Sequence, residues 1–212
     1  MFRSTLAATI AAAALPAAAQ ISYGGYTFHD DAFADRAEVN EAGGFFIHGA
    51  ATIDEALTGF TPDSGLFNIG STSGPDPFAN DFTLYFDDLA AVDGAGPDIV
   101  LFDLRYSRDS YEIAVISGGS ESAFLFYDFS TQVNTGESQL GGDAIAWAVE
   151  IDLADYGVTN AEAIRFRAGP SDTSSGNPQA DPTMAGVLNI PAPSSAALVG
   201  LGLSLARRRR RA

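Results

Sequence analysis

The stretch Ile145-Ala146-Trp147-Ala148-Val149-Glu150-Ile151 decides the fold class of this chain. Its large apolar residues stand at every second position, with alanine or glutamate between them. A period of two places one row of side chains on a core and the other row toward solvent, which is typical of a half-buried antiparallel strand. We therefore expect a strand here, with Trp147 facing the core.

Similar signals lie on both sides of this stretch. The alternation recurs in three segments, Phe82 to Phe86, Tyr111 to Val115 and Ile164 to Arg167. Two continuous apolar runs, Ile99 to Phe102 and Phe124 to Tyr127, are expected as central strands covered on both faces. Clusters of Gly, Pro, Asp and Ser separate the runs and have turn-forming compositions. Many short strands with turns between them predict an all-β fold, a sandwich or a barrel.

Helix is expected to be scarce. One short helical turn is predicted at Asp152 to Tyr156, where Asp152 could cap the first turn, and another at Ile53 to Leu57. The segment from Pro170 to Pro182 is rich in Ser, Asp, Gly and Asn, and it is expected to form a long exposed loop.

Charge is distributed very unevenly along the 212 residues. All 27 acidic residues lie between Asp30 and Asp181, an interval with only five arginines, so its formal charge is −22. Such a surface repels nucleic-acid phosphates and anionic headgroups, which excludes nucleic acid as a partner. The chain has no cysteine, so packing or ions must supply the stability that disulfides give many exported domains.

Catalytic motifs are missing from the sequence. There is no thiol nucleophile, no His-Glu-x-x-His, no Gly-x-Ser-x-Gly and no phosphate-binding or dinucleotide-binding glycine motif. The two histidines, His29 and His48, are expected to be surface or core residues rather than catalytic ones. A hydrolase with two carboxylates remains an alternative, but so acidic a chain offers carboxylate pairs everywhere. We expect a protein that is not an enzyme, and no catalytic residue is assigned.

Calcium is the candidate cofactor for the same acidic residues. The loop between two expected strands carries four carboxylates, those of Asp87, Asp88, Asp93 and Asp98. Calcium takes six to eight oxygen ligands, which acidic loops with glycine turns can supply. The alternative is a plain, solvated acidic turn without a metal. A glycan is a further candidate ligand, because exported β-sandwiches often bind sugars on exposed aromatic residues. The aromatic residues available for this are Tyr23, Tyr26, Tyr106, Tyr111 and Trp147, although Trp147 is expected in the core.

The N-terminal segment has the composition of a secretory signal peptide. Arg3 precedes the apolar run Leu6 to Leu15, and Pro16 and three alanines follow before Gln20. A charged start, a short apolar run and a small-residue exit predict export with cleavage after Ala19.

The C-terminal segment has the composition of a membrane-inserted signal. Its parts are Pro191-Ala192-Pro193, the small and apolar run from Ser194 to Ala206, and the arginines Arg207, Arg208, Arg209, Arg210 and Arg211. Arginines resist translocation and remain on the cytoplasmic side. A helix over the 13 residues of the run would be roughly 20 Å long, against a bilayer core of about 30 Å. A transient anchor therefore fits this short hydrophobic helix better than a permanent one.

These two ends resemble the PEP-CTERM class of exported bacterial proteins. That class pairs a signal peptide with a Pro-Glu-Pro-like motif, a glycine- and leucine-rich span and an arginine cluster; in this chain Ala192 stands in place of the glutamate. The resemblance implies recognition by an exosortase-type sorting enzyme, cleavage near Pro191 to Pro193, and delivery to the cell surface or the extracellular matrix. The segment Phe82 to Phe102 is also similar to the domain of many such proteins, which implies a jelly-roll-like antiparallel sandwich.

The expected organisation has three parts: a signal peptide at 1–19, an acidic β-sandwich domain at 20–189 and a sorting signal at 190–212. The expected function is that of a non-enzymatic surface or matrix protein, whose partners are the secretion machinery and a sorting enzyme. The alternative is a secreted module that binds calcium or an extracellular polysaccharide.

Overall fold

The computed structural model describes residues 19–41, 44–71, 81–105, 109–139, 142, 144–169 and 180–190. Within them the chain forms sixteen strands, which are, in chain order, β1 (Gln20–Tyr23), β2 (Tyr26–His29), β3 (Arg36–Glu41), β4 (Gly44–His48), β5 (Gly65–Ser71), β6 (Asp81–Tyr85), β7 (Ala91–Val92), β8 (Ile99–Arg105), β9 (Tyr111–Ser117), β10 (Ser120–Glu121), β11 (Leu125–Tyr127), β12 (Val133–Gln139), β13 (Ala144–Ile151), β14 (Asn160–Ala161), β15 (Ala163–Ala168) and β16 (Pro182–Val187). All their pairings are antiparallel, so the expected all-β class is confirmed.

A six-stranded sheet has β15 near its centre. The order is β10-β9-β15-β6-β3, with β11 also pairing with β9. Phe166 on β15 lies opposite Phe82 on β6 and Ile113 on β9, and all three side chains are buried. The alternating Ile164 to Arg167 segment thus places its apolar row on the core, as its sequence predicts.

A four-stranded sheet has the order β12-β13-β8-β16. Trp147 on β13 lies opposite Asp103 on β8, and Trp147 is buried, which confirms the predicted orientation. One hydrophobic cluster includes residues of both larger sheets, among them Leu101, Val149, Ile113 and Phe166. Three two-stranded pairings, β1–β2, β4–β5 and β7–β14, complete the described topology.

The N-terminal hairpin β1–β2 covers the second face of the four-stranded sheet. Ala148 lies opposite Phe102, whose ring is 5.1 Å from the ring of Tyr23 and 6.0 Å from that of Phe28. The expectation that the alanine row of β13 faces solvent is therefore wrong, because Ala146 and Ala148 are fully buried. Their small side chains leave room for the aromatic rings of the hairpin.

The expected loop from Pro170 to Pro182 ends in a strand that the sequence pattern did not predict. Strand β16 is the edge of its sheet within the described residues, yet every one of its residues is buried. Pro182 is tolerated because it is the first residue of an edge strand. Gly186 packs so closely against the ring of Phe28 that an added Cβ would lie 2.7 Å from it.

The run Phe124 to Tyr127 does not form a central strand. Its residues Leu125–Tyr127 form the short strand β11, which pairs only with β9 among the described strands. Phe126 is 48% exposed, so the expected central strand covered on both faces is wrong.

The two predicted helical turns are present. Helix α1 (Ile53–Leu57) begins after Thr52, whose Oγ1 accepts a hydrogen bond from the Glu55 N–H at 3.2 Å. Glu55 in turn accepts one from the Ala51 N–H at 2.9 Å, close to a capping box. A 3₁₀ turn covers Leu153–Tyr156, and Asp152 caps it as expected. A further 3₁₀ turn lies at Phe129–Thr131.

Three expected segments lie largely outside the described residues: positions 1–18 of the signal peptide at 1–19, positions 170–179 of the loop at 170–182, and positions 191–212 of the sorting signal at 190–212. Among the helices that are described, none combines the length and the apolar character needed to cross a membrane.

Candidate functional site

The four carboxylates of the predicted calcium loop lie at two separate places. Asp93 and Asp98 come together with Asp152, and one ligand oxygen from each lies within 4.8 Å of those of the other two. Asp87 instead lies 3.6 Å from Nε of Arg36. Asp88 belongs to a second acidic region, described below.

Asp98 anchors the first acidic group. It directly precedes β8 and is fully buried. Its Oδ1 accepts hydrogen bonds from the Gly94 N–H at 2.9 Å and from Nδ2 of Asn189 at 2.8 Å, and its Oδ2 accepts one from the Leu153 N–H at 2.9 Å. Both oxygens are thus satisfied by the protein, and the side chain ties three chain segments together.

The other two members of this group are more accessible. Asp93 is exposed and Asp152 is partly buried, with Oδ1 of Asp152 accepting the capping bond from the Ala154 N–H at 2.9 Å. Carboxylate oxygens are the ligands that calcium prefers, and it takes six to eight of them. The group could therefore supply part of a calcium shell on its solvent side, with water as the remaining ligands. We call Asp93, Asp98 and Asp152 the acidic triad.

The second acidic region lies at the end of the N-terminal hairpin. His29, Asp30 and Asp31 have ligand atoms within 4.8 Å of one another. Asp30 and Asp31 also line an open cavity of about 280 Å³, together with Asp35 and Asp88. The Asp88 N–H donates to Oδ2 of Asp35 at 3.1 Å, which brings residues 53 positions apart to one wall of this cavity.

Nδ1 of His29 has two contacts that require different protonation states. It lies 3.0 Å from Oδ1 of Asp30, an ion pair that requires a protonated ring. It also lies 3.3 Å from the Asp31 N–H, which requires Nδ1 to be a bare acceptor. When the His29 ring is neutral and its Nδ1 accepts from the Asp31 N–H, Nδ1 has no proton to donate to the Asp30 carboxylate.

Asp103 is a carboxylate whose surroundings perturb it strongly. It is fully buried on β8, and its Oδ1 accepts hydrogen bonds from Tyr111 Oη at 2.7 Å and from the Asp181 N–H at 3.1 Å. Its Oδ2 has no hydrogen-bond partner within the part of the chain that the structure describes. Burial, and secondly the charges of Asp109 and Asp181, raise the pKa of Asp103 well above its usual range. Burial of this kind favours the neutral form of the carboxyl group, and the side chain is not exposed to solvent.

The aromatic residues that the sequence offered for sugar binding are mostly inside the protein. Trp147 and Tyr111 are buried, and Tyr23 and Tyr26 belong to the aromatic cluster around Phe102. Tyr106 lies outside the described residues. His48 is exposed and its ring touches Phe67 at 5.3 Å, as expected for a surface histidine.

The sequence pattern missed two partners in these sites, Asp152 and Asp35. The sequence predicts Asp152 only as a helix cap, and it gives no signal for Asp35. Asp35 meets Asp88, and Asp152 meets Asp98, and in both cases the two residues are more than 50 positions apart in the sequence. The local spacing of residues gives no signal for such a contact.

No family model matches this chain, and comparison with curated proteins and with solved structures also finds no match.

Proposed function

We propose that this chain is a non-enzymatic exported protein whose acidic domain is a jelly-roll-like β-sandwich destined for the cell surface or the extracellular matrix. The observation that carries the proposal is the tail at 191–212, where Pro191-Ala192-Pro193, a short apolar run and five arginines follow one another. The alanine-rich leader before Gln20 supports the same route.

The described domain agrees with a role that needs no catalysis. Its two larger antiparallel sheets share a core, as a sandwich requires. Most of its described acidic residues are exposed or partly buried, and a charged surface of this kind favours solubility in saline surroundings. Asp103, a carboxyl group with a raised pKa, is fully buried.

The test is to follow localisation in cells that carry an exosortase-type enzyme. The full chain and a chain lacking residues 191–212 are compared, with a third chain in which Arg207 to Arg211 are alanine. We expect surface delivery of the full chain and retention or misrouting of both variants. Delivery of the truncated chain to the same place would overturn the sorting proposal.

Calcium binding by the acidic triad is a second candidate function. It is supported by the approach of three carboxylates within 4.8 Å, two of them open to solvent. Calorimetry with calcium on the full chain tests it, comparing Asp93→Asn/Asp152→Asn with the control Asp87→Asn. We expect heat of binding that the double variant loses and the control keeps. No heat and no change in melting temperature would remove calcium from consideration.

A further inference from the structure

The peptide bond between Asp181 and Pro182 lies at the start of β16, where both residues are buried. Pro182 stands opposite Asp103 on β8. The N–H of the next residue on β8, Leu104, donates a hydrogen bond of 2.7 Å to the carbonyl oxygen of Asp181. In an antiparallel ladder this pattern belongs to a non-hydrogen-bonded pair, whose Cα atoms are about 4.5 Å apart and whose side chains are close. The side chain of Asp103 is therefore held beside the Asp181–Pro182 bond.

The carboxyl group of Asp103 has one oxygen in use and one without a partner. Its Oδ1 accepts hydrogen bonds from Tyr111 Oη at 2.7 Å and from the Asp181 N–H at 3.1 Å. Its Oδ2 has no hydrogen-bond partner among the described residues. Burial, followed by the charges of Asp109 and Asp181, raises the pKa of this group, and in the neutral form the proton belongs on Oδ2 because Oδ1 is an acceptor. A buried polar atom without a partner calls for an explanation.

We propose that the chain cleaves itself between Asp181 and Pro182. The Asp181 carboxylate attacks the carbonyl carbon of its own residue, which closes a five-membered cyclic anhydride and breaks the C–N bond. The carboxyl group of Asp103 gives its proton to the leaving nitrogen of Pro182. Water then opens the anhydride, which leaves two carboxyl groups on Asp181, and one proton returns to Asp103. The reaction consumes one water molecule and needs no oxidant or cofactor.

The surroundings of this bond favour the reaction in several ways. The attacking carboxylate and the carbonyl carbon belong to one residue, so no entropy is lost in bringing them together. The leaving nitrogen of Pro182 carries no hydrogen and belongs to a tertiary amide. The Leu104 N–H is a fixed donor, 2.7 Å from the oxygen that becomes negative during the attack. Asp181 keeps 6% of its surface exposed, which gives water access to the anhydride.

Self-cleavage would separate the acidic domain from its tail. Residues 182–212 would then be attached only through the noncovalent contacts of β16, which pairs with β8 and is buried along its whole length. The reaction occurs once in each chain and is not a turnover of substrate. It goes beyond the proposed export and sorting, and its chemistry does not depend on them.

The experiment incubates the purified full chain at neutral pH with protease inhibitors and follows it by intact mass spectrometry. We expect a fragment that begins at Pro182, formed at a first-order rate that does not depend on protein concentration. The chain has a second bond of the same type, Asp76–Pro77, outside the described residues, and it serves as an internal control. We expect that bond to stay intact. Both bonds should stay intact in denaturant at the same pH, because unfolding removes the acid from its place.

Three variants separate the roles in the reaction. Asp181→Glu keeps the charge but would have to close a six-membered ring, and Pro182→Ala replaces the tertiary amide; we expect both to slow the cleavage. Asp103→Asn keeps an acceptor for Tyr111 but has no acidic proton, and we expect a loss in rate of about 100-fold or more. Glu41→Gln, at an exposed position of β3, is the matched control and should cleave at the unchanged rate. Thermal unfolding shows that each variant is folded.

The unchanged chain decides the proposal even if a variant fails to fold. A folded, unchanged chain that stays intact would overturn it. Cleavage of the two Asp–Pro bonds at similar rates would show ordinary chemical lability and would also overturn it. The same holds for an unchanged rate in folded Asp181→Glu or Asp103→Asn. None of these outcomes bears on the localisation test of the tail, so the two proposals fail separately.

Discussion

Tyr111 donates a hydrogen bond of 2.7 Å to Oδ1 of Asp103, and this bond joins strand β9 of the six-stranded sheet to strand β8 of the four-stranded sheet. Both side chains are fully buried. The pKa of Tyr111 is raised well above its usual range, first by burial and then by the charge of Asp103, so the phenol keeps its proton. The bond therefore requires only an acceptor at Asp103, and a neutral acceptor is sufficient.

Replacing Asp103 by asparagine should stabilise the protein at neutral pH. The raised pKa means that the folded state holds a proton that the unfolded state releases near pH 3.8, so stability falls as the pH rises above that value. Asparagine keeps the acceptor for Tyr111 and cannot ionise. We therefore expect Asp103→Asn to be more stable than the unchanged protein at pH 7, because the penalty of ionising a buried carboxyl group is removed.

Denaturant unfolding of Asp103→Asn at several pH values checks this prediction. The gain should shrink as the pH falls toward 4. The stability difference between Asp103→Asn and the unchanged protein is compared at pH 7 and at pH 4. If the variant loses stability relative to the unchanged protein as the pH rises from 4 to 7, the charge of Asp103 stabilises the folded state and the prediction is wrong.

The same substitution at Asp98 should have the opposite effect. Its two oxygens accept three hydrogen bonds, from Gly94, Asn189 and Leu153. An asparagine NH₂ group would face one of these donors, and we expect a loss of about 1–3 kcal/mol. Thermal unfolding measures it, with the exposed Asp93→Asn as a control that should stay within about 0.5 kcal/mol. An equal loss of stability in Asp98→Asn and Asp93→Asn would contradict the prediction that the buried, hydrogen-bonded Asp98 matters more than the exposed Asp93.

Replacing Asp81 by asparagine should weaken the outer side of the six-stranded sheet. Asp81 is buried and accepts from Nε of Arg165 at 2.8 and 2.9 Å, while Arg165 also reaches Glu121 at the surface. We expect a loss of about 1–3 kcal/mol, less than for a wholly buried pair, since the Arg165 side chain keeps 30% of its exposure. Glu121→Gln should cost below about 1 kcal/mol. Chemical unfolding measures the free energy of unfolding of both variants. A larger loss of stability in Glu121→Gln than in Asp81→Asn would show that Glu121, and not Asp81, is the main partner of Arg165.

Gly186→Ala should destabilise the contact between β16 and the N-terminal hairpin. The added Cβ would lie 2.7 Å from Cε1 of Phe28 and 3.2 Å from Cε1 of Phe33. Overpacking of this kind costs about 1–3 kcal/mol. A double-mutant cycle with Phe28→Leu measures the coupling, because the smaller side chain should relieve part of the cost. Additive effects would mean that the strain lies elsewhere.

The sequence predicts the faces of strands better than their partners. In Ile164 to Arg167 the alternation of apolar and cationic residues predicts which side chains face the core. The structure confirms this, since the apolar residues are buried and the arginines are partly exposed. The pattern does not reveal which strand lies beside which. It therefore predicts a central position for Phe124 to Tyr127, which is wrong, and gives no signal for β16.

The candidate site shows the same limit. Asp93 and Asp98 are five residues apart, and their grouping follows from one loop. Asp152 joins them only because β13 lies beside β8 and ends where β8 begins. Asp87 and Asp88 share the sequence loop but turn toward Arg36 and Asp35. The local sequence therefore predicts that acidic residues are available for a site. Which of them come together depends on the strand pairing, which the local sequence does not reveal.

The aromatic cover formed by the N-terminal hairpin has a consequence for the order in which the chain can fold. Tyr26 bonds to Glu150, 124 residues later, and Tyr23 bonds to Gln139, 116 residues later. Strands β1 and β2 therefore cannot form these contacts until β8, β12 and β13 have been synthesised. Contacts of such long sequence separation make folding slow, so we expect the hairpin to dock on the sheet late in folding.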